Sequence, residues 1–312
     1  MGLTKSSVGG GAVDSGLNIK KQSPLDKVVA LAGNPNVGKS TVFNSLTGLN
    51  QHTGNWPGKT VANAKGYCKS AGHSYILVDI PGTYSLMAHS AEEEVARDFI
   101  CFGSPDAVAV VCDATCLERN LNLVLQILEI TPDTAVCVNL MDEAKRKNIK
   151  INLKLLSERL GVPVTGITAR RKKSSAKLLD TLDGLIASHN ASPFKIRYPE
   201  EIEKAVAEVE PEVKRLAGGK INSRWLSLRL LEGDTTLNSS ISECLGDGFL
   251  NNPSLFAALA SAQKRLAESG ITKEKLKDLI VSSLVKAAEE ICRGAVIYEK
   301  KQYSGADRKA DR

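Results

Sequence analysis

The stretch Gly33 to Ser40, GNPNVGKS, has the spacing G-x-x-x-x-G-K-S and stands between an apolar run and a helix-forming segment. Gly33 and Gly38 let the backbone turn so that successive N–H groups face an anion, and a helix N-terminus adds positive potential. In that arrangement Lys39 reaches the β- and γ-phosphates of a nucleotide, and the Ser40 hydroxyl is a ligand for Mg²⁺. Asn34, Pro35, Asn36, Val37 and Thr41 complete the loop and the helix start. Downstream, Asp79 closes the next apolar run in VDIPGTYSL, where it suits a second, water-mediated Mg²⁺ contact, and the Gly82 N–H is placed to meet the γ-phosphate. Between the two lies NQHTGNWPGKTV, whose Thr60 is placed as a switch threonine. Its hydroxyl would ligate Mg²⁺ and its N–H would touch the γ-phosphate when the loop orders. The Gly, Asn, Trp and Pro before Thr60 predict a loop with restricted but exposed backbone, and Trp56 packing on the domain is the alternative.

The base is read further along. VNLMDEA supplies Asn139, Met141 and Asp142 in the N-x-x-D spacing that resembles the guanine-reading motif of GTPases. A carboxylate accepts two hydrogen bonds from the guanine N1–H and exocyclic amine, whereas adenine leaves it unpaired. An unpaired buried polar group costs about 1–3 kcal/mol, so Asp142 alone favours guanine by one or more orders of magnitude. Leu140 stands where N-K-x-D motifs carry Lys, which removes a cationic stem over the base. In ITAR, Thr168 and Ala169 look like the S-A-x element whose backbone N–H reads the guanine O6. Many GTP-hydrolysing enzymes carry a Gln just after the Gly equivalent to Gly82; here Thr83 and Tyr84 follow, and no side chain in the segment is an obvious orienter of water.

These residues need strand ends and helix starts to hold them. KVVALAG, AVAVVCD and TAVCVNL read as buried strands, with β-like segments at Val61–Cys68 and Tyr75–Asp79 and a short strand in PVTGIT. Helices are predicted from Lys39 and over Ala91–Phe102, Arg119–Ile130, Leu153–Leu160 and Ser174–Ser188. Strands apolar throughout, alternating with amphipathic helices, predict an α/β fold: a P-loop domain whose mostly parallel sheet is covered on both faces. After SPFKIRYPEE the strand signals stop. EIEKAVAEVEPEVKRLA, SRWLSLRLLEG, PSLFAALASAQKRLAES and the stretch from KEKLKDLIVSS to AVIYEKK carry apolar residues at three- and four-residue intervals, predicting a small all-α domain. The expected division is a disordered tail over 1–25, a nucleotide-binding domain over 26–192, a helical domain over 193–300 and a tail over 301–312.

Composition narrows the function classes. The 312 residues are 42% hydrophobic and 24% charged, and the net charge of +6 is spread along the chain without interleaved aromatics, which argues against a nucleic-acid partner. Seven Cys lack paired spacing and read as free, mostly buried thiols. No apolar run approaches the roughly 20 residues that cross a bilayer, so a soluble chain is expected. Glu92–Glu94 sit in SAEE, a capping box with Ser90 as N-cap and Glu93 at N3, which makes them a helix start rather than an iron-binding cluster. His52, His73, His89 and His189 are scattered without metal-ligand spacing.

Together GNPNVGKS, GNWPGKT, DIPGTYSL, SAEEEVARDFI, NLMDEA, TARRKK and RWLSLRLLEGD resemble the cytosolic G-protein region of the ferrous iron transport protein B family of prokaryotes, over about residues 27–298. The resemblance implies a GTPase joined through a helical spacer, or dissociation-inhibitor, domain to a polytopic membrane region beyond this chain, at the cytoplasmic face of the cell membrane. Implied partners are GTP and GDP, that membrane domain, other copies of the chain and small accessory proteins of iron uptake; implied cofactors are Mg²⁺ and K⁺. Asn36 is similar to the residue that marks K⁺-activated members, with backbone carbonyls matching Gly54 and Trp56 as further ligands, although a turn-stabilising role for Asn36 stays open. A fixed cation there neutralises charge developing in transfer, as an arginine finger does elsewhere. On this reading Lys39, Thr60, Gly82 and Asn36 form the catalytic set, and Lys59 stands where the family often has an apolar residue. Two rivals remain: a soluble K⁺-dependent GTPase of RNA modification or ribosome assembly, and a GTP switch that binds without hydrolysing.

Overall fold

The computed structural model describes residues 19, 21, 23–48, 51–56, 60–87, 90–188 and 192–299. Lys59, His89, His189 and most of the two expected tails lie outside the described residues. The chain runs β1 (Lys27–Gly33), α1 (Lys39–Thr47), β2 (Gln51–Asn55), β3 (Ala62–Lys69), β4 (Ser74–Asp79), α2 (Ala91–Phe102), β5 (Ala107–Asp113), α3 (Leu117–Ile130) and β6 (Thr134–Asn139). It continues through α4 (Met141–Arg146), β7 (Ile149–Ile151), α5 (Leu153–Leu160), β8 (Val164–Gly166) and α6 (Lys172–Ser188). After these come α7 (Glu200–Ala217), α8 (Ser223–Glu232), a 3-10 turn (Thr235–Leu237), α9 (Asn238–Leu245), α10 (Pro253–Glu268), α11 (Lys273–Cys292) and β9 (Val296–Tyr298).

Seven strands form one sheet in the order β2-β3-β4-β1-β5-β6-β8. The pairs from β4 through β8 are parallel, and the β2-β3-β4 edge is antiparallel. Successive side chains point to opposite faces, so Val28, Ala30 and Ala32 of β1 join one apolar cluster while Val29 and Leu31 join the other. Helices cover both faces, which is why β1, β5 and β6 are apolar throughout. Burying each Val or Leu of these strands contributes about 1.5–3 kcal/mol.

Helix boundaries follow local chemistry. The Ser90 hydroxyl accepts from the Glu93 N–H at 3.2 Å, as the capping box predicts. Asn152, Asn222, Asn252 and Thr272 cap α5, α8, α10 and α11 in the same way. All seven cysteines are unpaired thiols, five of them buried.

Several elements differ from the sequence expectation, the unpredicted α4 and β7 among them. The stretch before Thr60 is not wholly a loop: residues 51–55 form edge strand β2, whose ladder to β3 uses backbone groups and leaves no alternating pattern to read. The strand after Thr134 stops at Asn139, because Leu140 takes φ 61 and caps α4 at once. The final helix ends at Cys292; Gly294 at φ 71 turns the chain, and Val296–Tyr298 pairs antiparallel with β7 instead of continuing the helix. Finally, α9 spans Asn238–Leu245, a serine-rich stretch that propensity alone does not mark as helical.

Candidate functional site

The C-terminal ends of β1, β4, β5 and β6 lie side by side, with Leu31 in register with Asp79 and Asp113 with Asn139. Ligands of open α/β sheets bind at such strand ends. At the end of β1, a Cβ on Gly33 would meet the Val111 carbonyl oxygen at 2.5 Å, so only glycine lets the loop leave the sheet there. Gly38 has φ 82, and a Cβ on it would fall 2.5 Å from Asn139 Nδ2. Both conditions explain the two glycines of the motif. Asn36, between them, is exposed in the left-handed region at φ 67.

Lys39, at the first position of α1, forms an ion pair with Asp79. Burial pushes the Asp79 carboxyl above its usual range, and the Lys39 charge opposes that shift. Ser40 is exposed on the same helical turn. Gly82 lies against the loop, since a Cβ on it would come 3.4 Å from Pro35, and the Thr83 N–H donates to the Gly33 carbonyl at 3.2 Å.

The opposite wall is built around Asn139, which is 1% exposed. Its Nδ2 donates to the Val37 carbonyl at 3.0 Å and its Oδ1 accepts from the Ala169 N–H at 3.0 Å. Asn139 thus pins the glycine loop to the segment after β8. The Thr168 N–H donates to Ser174 Oγ at 2.9 Å. With both of these donors engaged inside the chain, the third residue of the element, Arg170, has no described partner for its N–H and lines the cavity. Asp142, on the first turn of α4, has a buried Oδ1 with no hydrogen-bond partner.

These residues surround a cavity of about 360 Å³. Of the residues expected from sequence, Asn36, Gly38, Thr41, Asn139, Asp142, Thr168 and Ala169 line it. Gly33, Asn34, Pro35, Val37, Lys39, Ser40, Asp79, Gly82 and Met141 belong to the loops and strand ends around it. Leu140, noted above in the N-x-x-D motif, also lines it, as do Asp113, Thr115, Glu143, Lys147 and Arg170, which were not picked out as site residues although Glu143 and Arg170 fall within NLMDEA and TARRKK. Thr60, Gly54 and Trp56 are not brought to this cavity. Thr60 is exposed, Gly54 pairs with Asn63 in the β2–β3 ladder, and the Trp56 ring is 4% exposed with its centroid 5.3 Å from that of Phe99. Packing on the domain is therefore what the Trp56 side chain does. Among the described residues, no group of three His, Cys, Asp or Glu is arranged to hold a metal.

Known proteins share both parts of this architecture. The family described as ferrous iron transport protein B matches residues 27–182, and its cytosolic helical domain matches residues 198–297. The Fe(2+) transporter FeoB of Escherichia coli (strain K12) is 39% identical over 211 residues, which are 66% of this chain and 27% of that protein. The chain therefore spans about a quarter of the length of the curated relatives it matches. A GDP-bound mutant of the S. thermophilus FeoB G-domain is similar with a TM-score of 0.72 and 27% identity, over 87% of this chain and 100% of that one. The cytosolic domain of the T. maritima FeoB iron transporter in its GMPPNP form is similar with a TM-score of 0.71 and 29% identity, over 87% of this chain and 99% of that one.

Proposed function

The chain belongs to the ferrous iron transport protein B family, and we propose that it is the part of such a transporter that binds GTP with Mg²⁺, hydrolyses it slowly, and regulates or drives ferrous iron passage through an attached membrane region. The observation that carries the nucleotide assignment is the cavity itself. One wall is the glycine loop at Asn36, Gly38 and Thr41, and the other holds the partnerless Asp142 carboxylate oxygen. A buried carboxylate oxygen costs stability until a donor reaches it, and guanine offers two donors of the right kind. In this reading the Arg170 N–H, rather than that of Thr168 or Ala169, meets the guanine O6. Relatives with GDP and GMPPNP bound support the same ligand.

Mg²⁺ fits the donor chemistry present: the Ser40 hydroxyl and the Asp79 carboxylate are hard oxygen ligands, and Thr60 would add a third. Lys39, now paired with Asp79, would be the group to hold a triphosphate, and Asp79 would then be available to the cation through water. When bound, Mg²⁺ supplies charge neutralisation across the β- and γ-phosphates. For K⁺ the fit is incomplete. Asn36 is exposed at the loop, but Gly54 and Trp56 do not gather around it. K⁺ activation is part of the proposal and requires Gly54 and Trp56 to move toward Asn36. Among the described residues, no helix is long and apolar enough to cross a membrane. The membrane domain, other copies of the chain and small accessory proteins are proposed partners.

The test is nucleotide binding and turnover with Asp142→Asn, in K⁺ and in Na⁺ buffer. Loss of GTP affinity by at least about tenfold, with gain of xanthine nucleotide, is expected from the reversed donor pattern. Unchanged GTP affinity would refute the base-reading assignment. Equal, negligible turnover in both salts would favour a binding-only switch.

A further inference from the structure

Gly82 must sit at the phosphates if its N–H is to sense them, yet the residues that follow it, Thr83 to Met87, form no helix or strand. Its position is held from outside. Gln126, on α3 and 8% exposed, turns its side-chain oxygen to this segment. That single Oε1 accepts from the Leu86 N–H at 2.7 Å and from Ser85 Oγ at 3.0 Å. Ser85 Oγ in turn accepts from the Met87 N–H at 3.0 Å. Upstream, the Thr83 hydroxyl donates to the Ser85 carbonyl at 2.5 Å and accepts from the Ser85 N–H at 3.1 Å, closing a tight local turn. The Thr83 N–H to Gly33 carbonyl bond then fastens the front of the segment to the glycine loop. About two turns earlier on α3, the Arg119 guanidinium lies over the Tyr84 ring, 4.5 Å from its centroid.

We infer that Gln126 is a positioning residue for GTP hydrolysis: through Ser85 and Leu86 it holds the Gly82–Met87 segment seated against the phosphate-binding loop. This rests on the GTPase reading above. The segment itself lacks a glutamine, and this one comes from another helix and acts on the backbone of the segment rather than on water. Two features make the assignment specific. Leu86 is buried, so its N–H has no solvent to turn to when the amide oxygen is removed. The held conformation is also the seated one, because Gly82 packs on Pro35 in the same structure.

The experiment uses the 312-residue chain with Gln126→Met, which matches volume and removes the acceptor, and Gln126→Glu, which keeps a two-bond acceptor at the same reach. GDP affinity, affinity for a non-hydrolysable GTP analogue, kcat at saturating GTP and thermal unfolding are measured for each. Gln126→Met should lower kcat about tenfold and weaken the analogue by a similar factor, while GDP affinity stays within about twofold of wild type. Gln126→Glu should restore kcat to within about threefold of wild type. A Gln126→Met enzyme with wild-type or higher kcat overturns the proposal. So does a loss of GDP affinity and melting temperature by equal amounts in both variants, which would mark Gln126 as structural only. A wild-type chain that binds both nucleotides without turnover would refute the GTPase reading, and the analogue-to-GDP ratio of Gln126→Met would still decide what Gln126 does.

Discussion

Asp183, on α6, is a carboxylate outside the cavity that gathers three side chains. It accepts from Tyr75 OH at 2.5 Å, from Ser70 Oγ at 2.8 Å and pairs with His73 Nδ1 at 2.9 Å, so one side chain ties the β3–β4 turn to α6. Burial pushes its pKa up, but the bonds from Tyr75, Ser70 and His73 outweigh that and leave it below the usual carboxylate value. A depressed folded-state pKa means that the stabilisation is fully present above the unfolded value of about 3.9 and is lost as pH falls through the lower folded value. Asp183→Asn should cost about 1–2 kcal/mol at pH 7 in urea denaturation. The gap to wild type should hold constant down to about pH 5 and narrow below about pH 4. A gap independent of pH would show that the charge of Asp183 adds nothing. The same scale shows what sequence spacing conveys and what it omits. Asp142 and the two loop glycines are legible because their chemistry depends on residue type at fixed intervals. The bracing by Asn139 and the clamp by Gln126 are not, since each joins residues tens of positions apart whose proximity only the folded sheet creates.

Elements transmit these positions. Arg97 on α2 is fully buried, and α2 follows the Gly82 segment directly. Its guanidinium donates to Asp98 Oδ1 at 2.9 Å, to Thr236 Oγ1 at 2.8 Å and to the Thr236 carbonyl at 3.3 Å, and it pairs with Asp234 at 3.4 Å. Asp98 also accepts from Ser240 Oγ at 2.8 Å. Arg97 therefore fastens the helix after the phosphate segment to the 3-10 turn, and Asp98 beside it fastens that helix to α9. Arg97→Met removes the fully buried cation that Asp98 and Asp234 share; losing one partner of a buried pair costs about 3–5 kcal/mol, and the partial exposure of the two carboxylates places this change at the lower end. The expected result is a fall of that size in unfolding free energy, and a loss under about 1 kcal/mol would mean the junction relaxes into water. The major elements were legible from period alone, because strands covered on both faces are continuously apolar and the long helices carry a clear stripe. β2, β7 and β9 were not, because short edge pairings are specified by a backbone ladder rather than by an alternating side-chain pattern. The β7–β9 pair is the clearest case, joining residues 149–151 to 296–298.

At the scale of the whole molecule, α3 is a shared wall. The apolar cluster on one face of the sheet, with Val110 and Val138, continues through Leu121, Leu125 and Leu128 of α3 to Trp225, Leu228, Ile280 and Leu284 without a break. Tyr198 OH, in the segment before α7, donates to Glu129 at the end of α3 at 2.8 Å, and Arg159 on α5 donates to the Ile291 carbonyl at the end of α11 at 2.8 Å. The expectation from this continuous core is that the chain unfolds as one unit, so that a ligand bound at the strand ends would stabilise the helices as much as the sheet. The chain holds two tryptophans, Trp56 packed on Phe99 of α2 and Trp225 in α8. Trp56 has a buried Nε1 without a hydrogen-bond partner, so Trp56→Phe removes an orphaned donor, keeps the edge contact with Phe99 and leaves Trp225 as the sole indole. In that variant, GDP at about 100 times its Kd should add roughly 2.7 kcal/mol to the transition reported by Trp225 fluorescence. The far-UV circular dichroism midpoint should move with it. A Trp225 transition that stays in place while the sheet is stabilised would show that the helices unfold on their own, and that nucleotide binding does not reach them through α3.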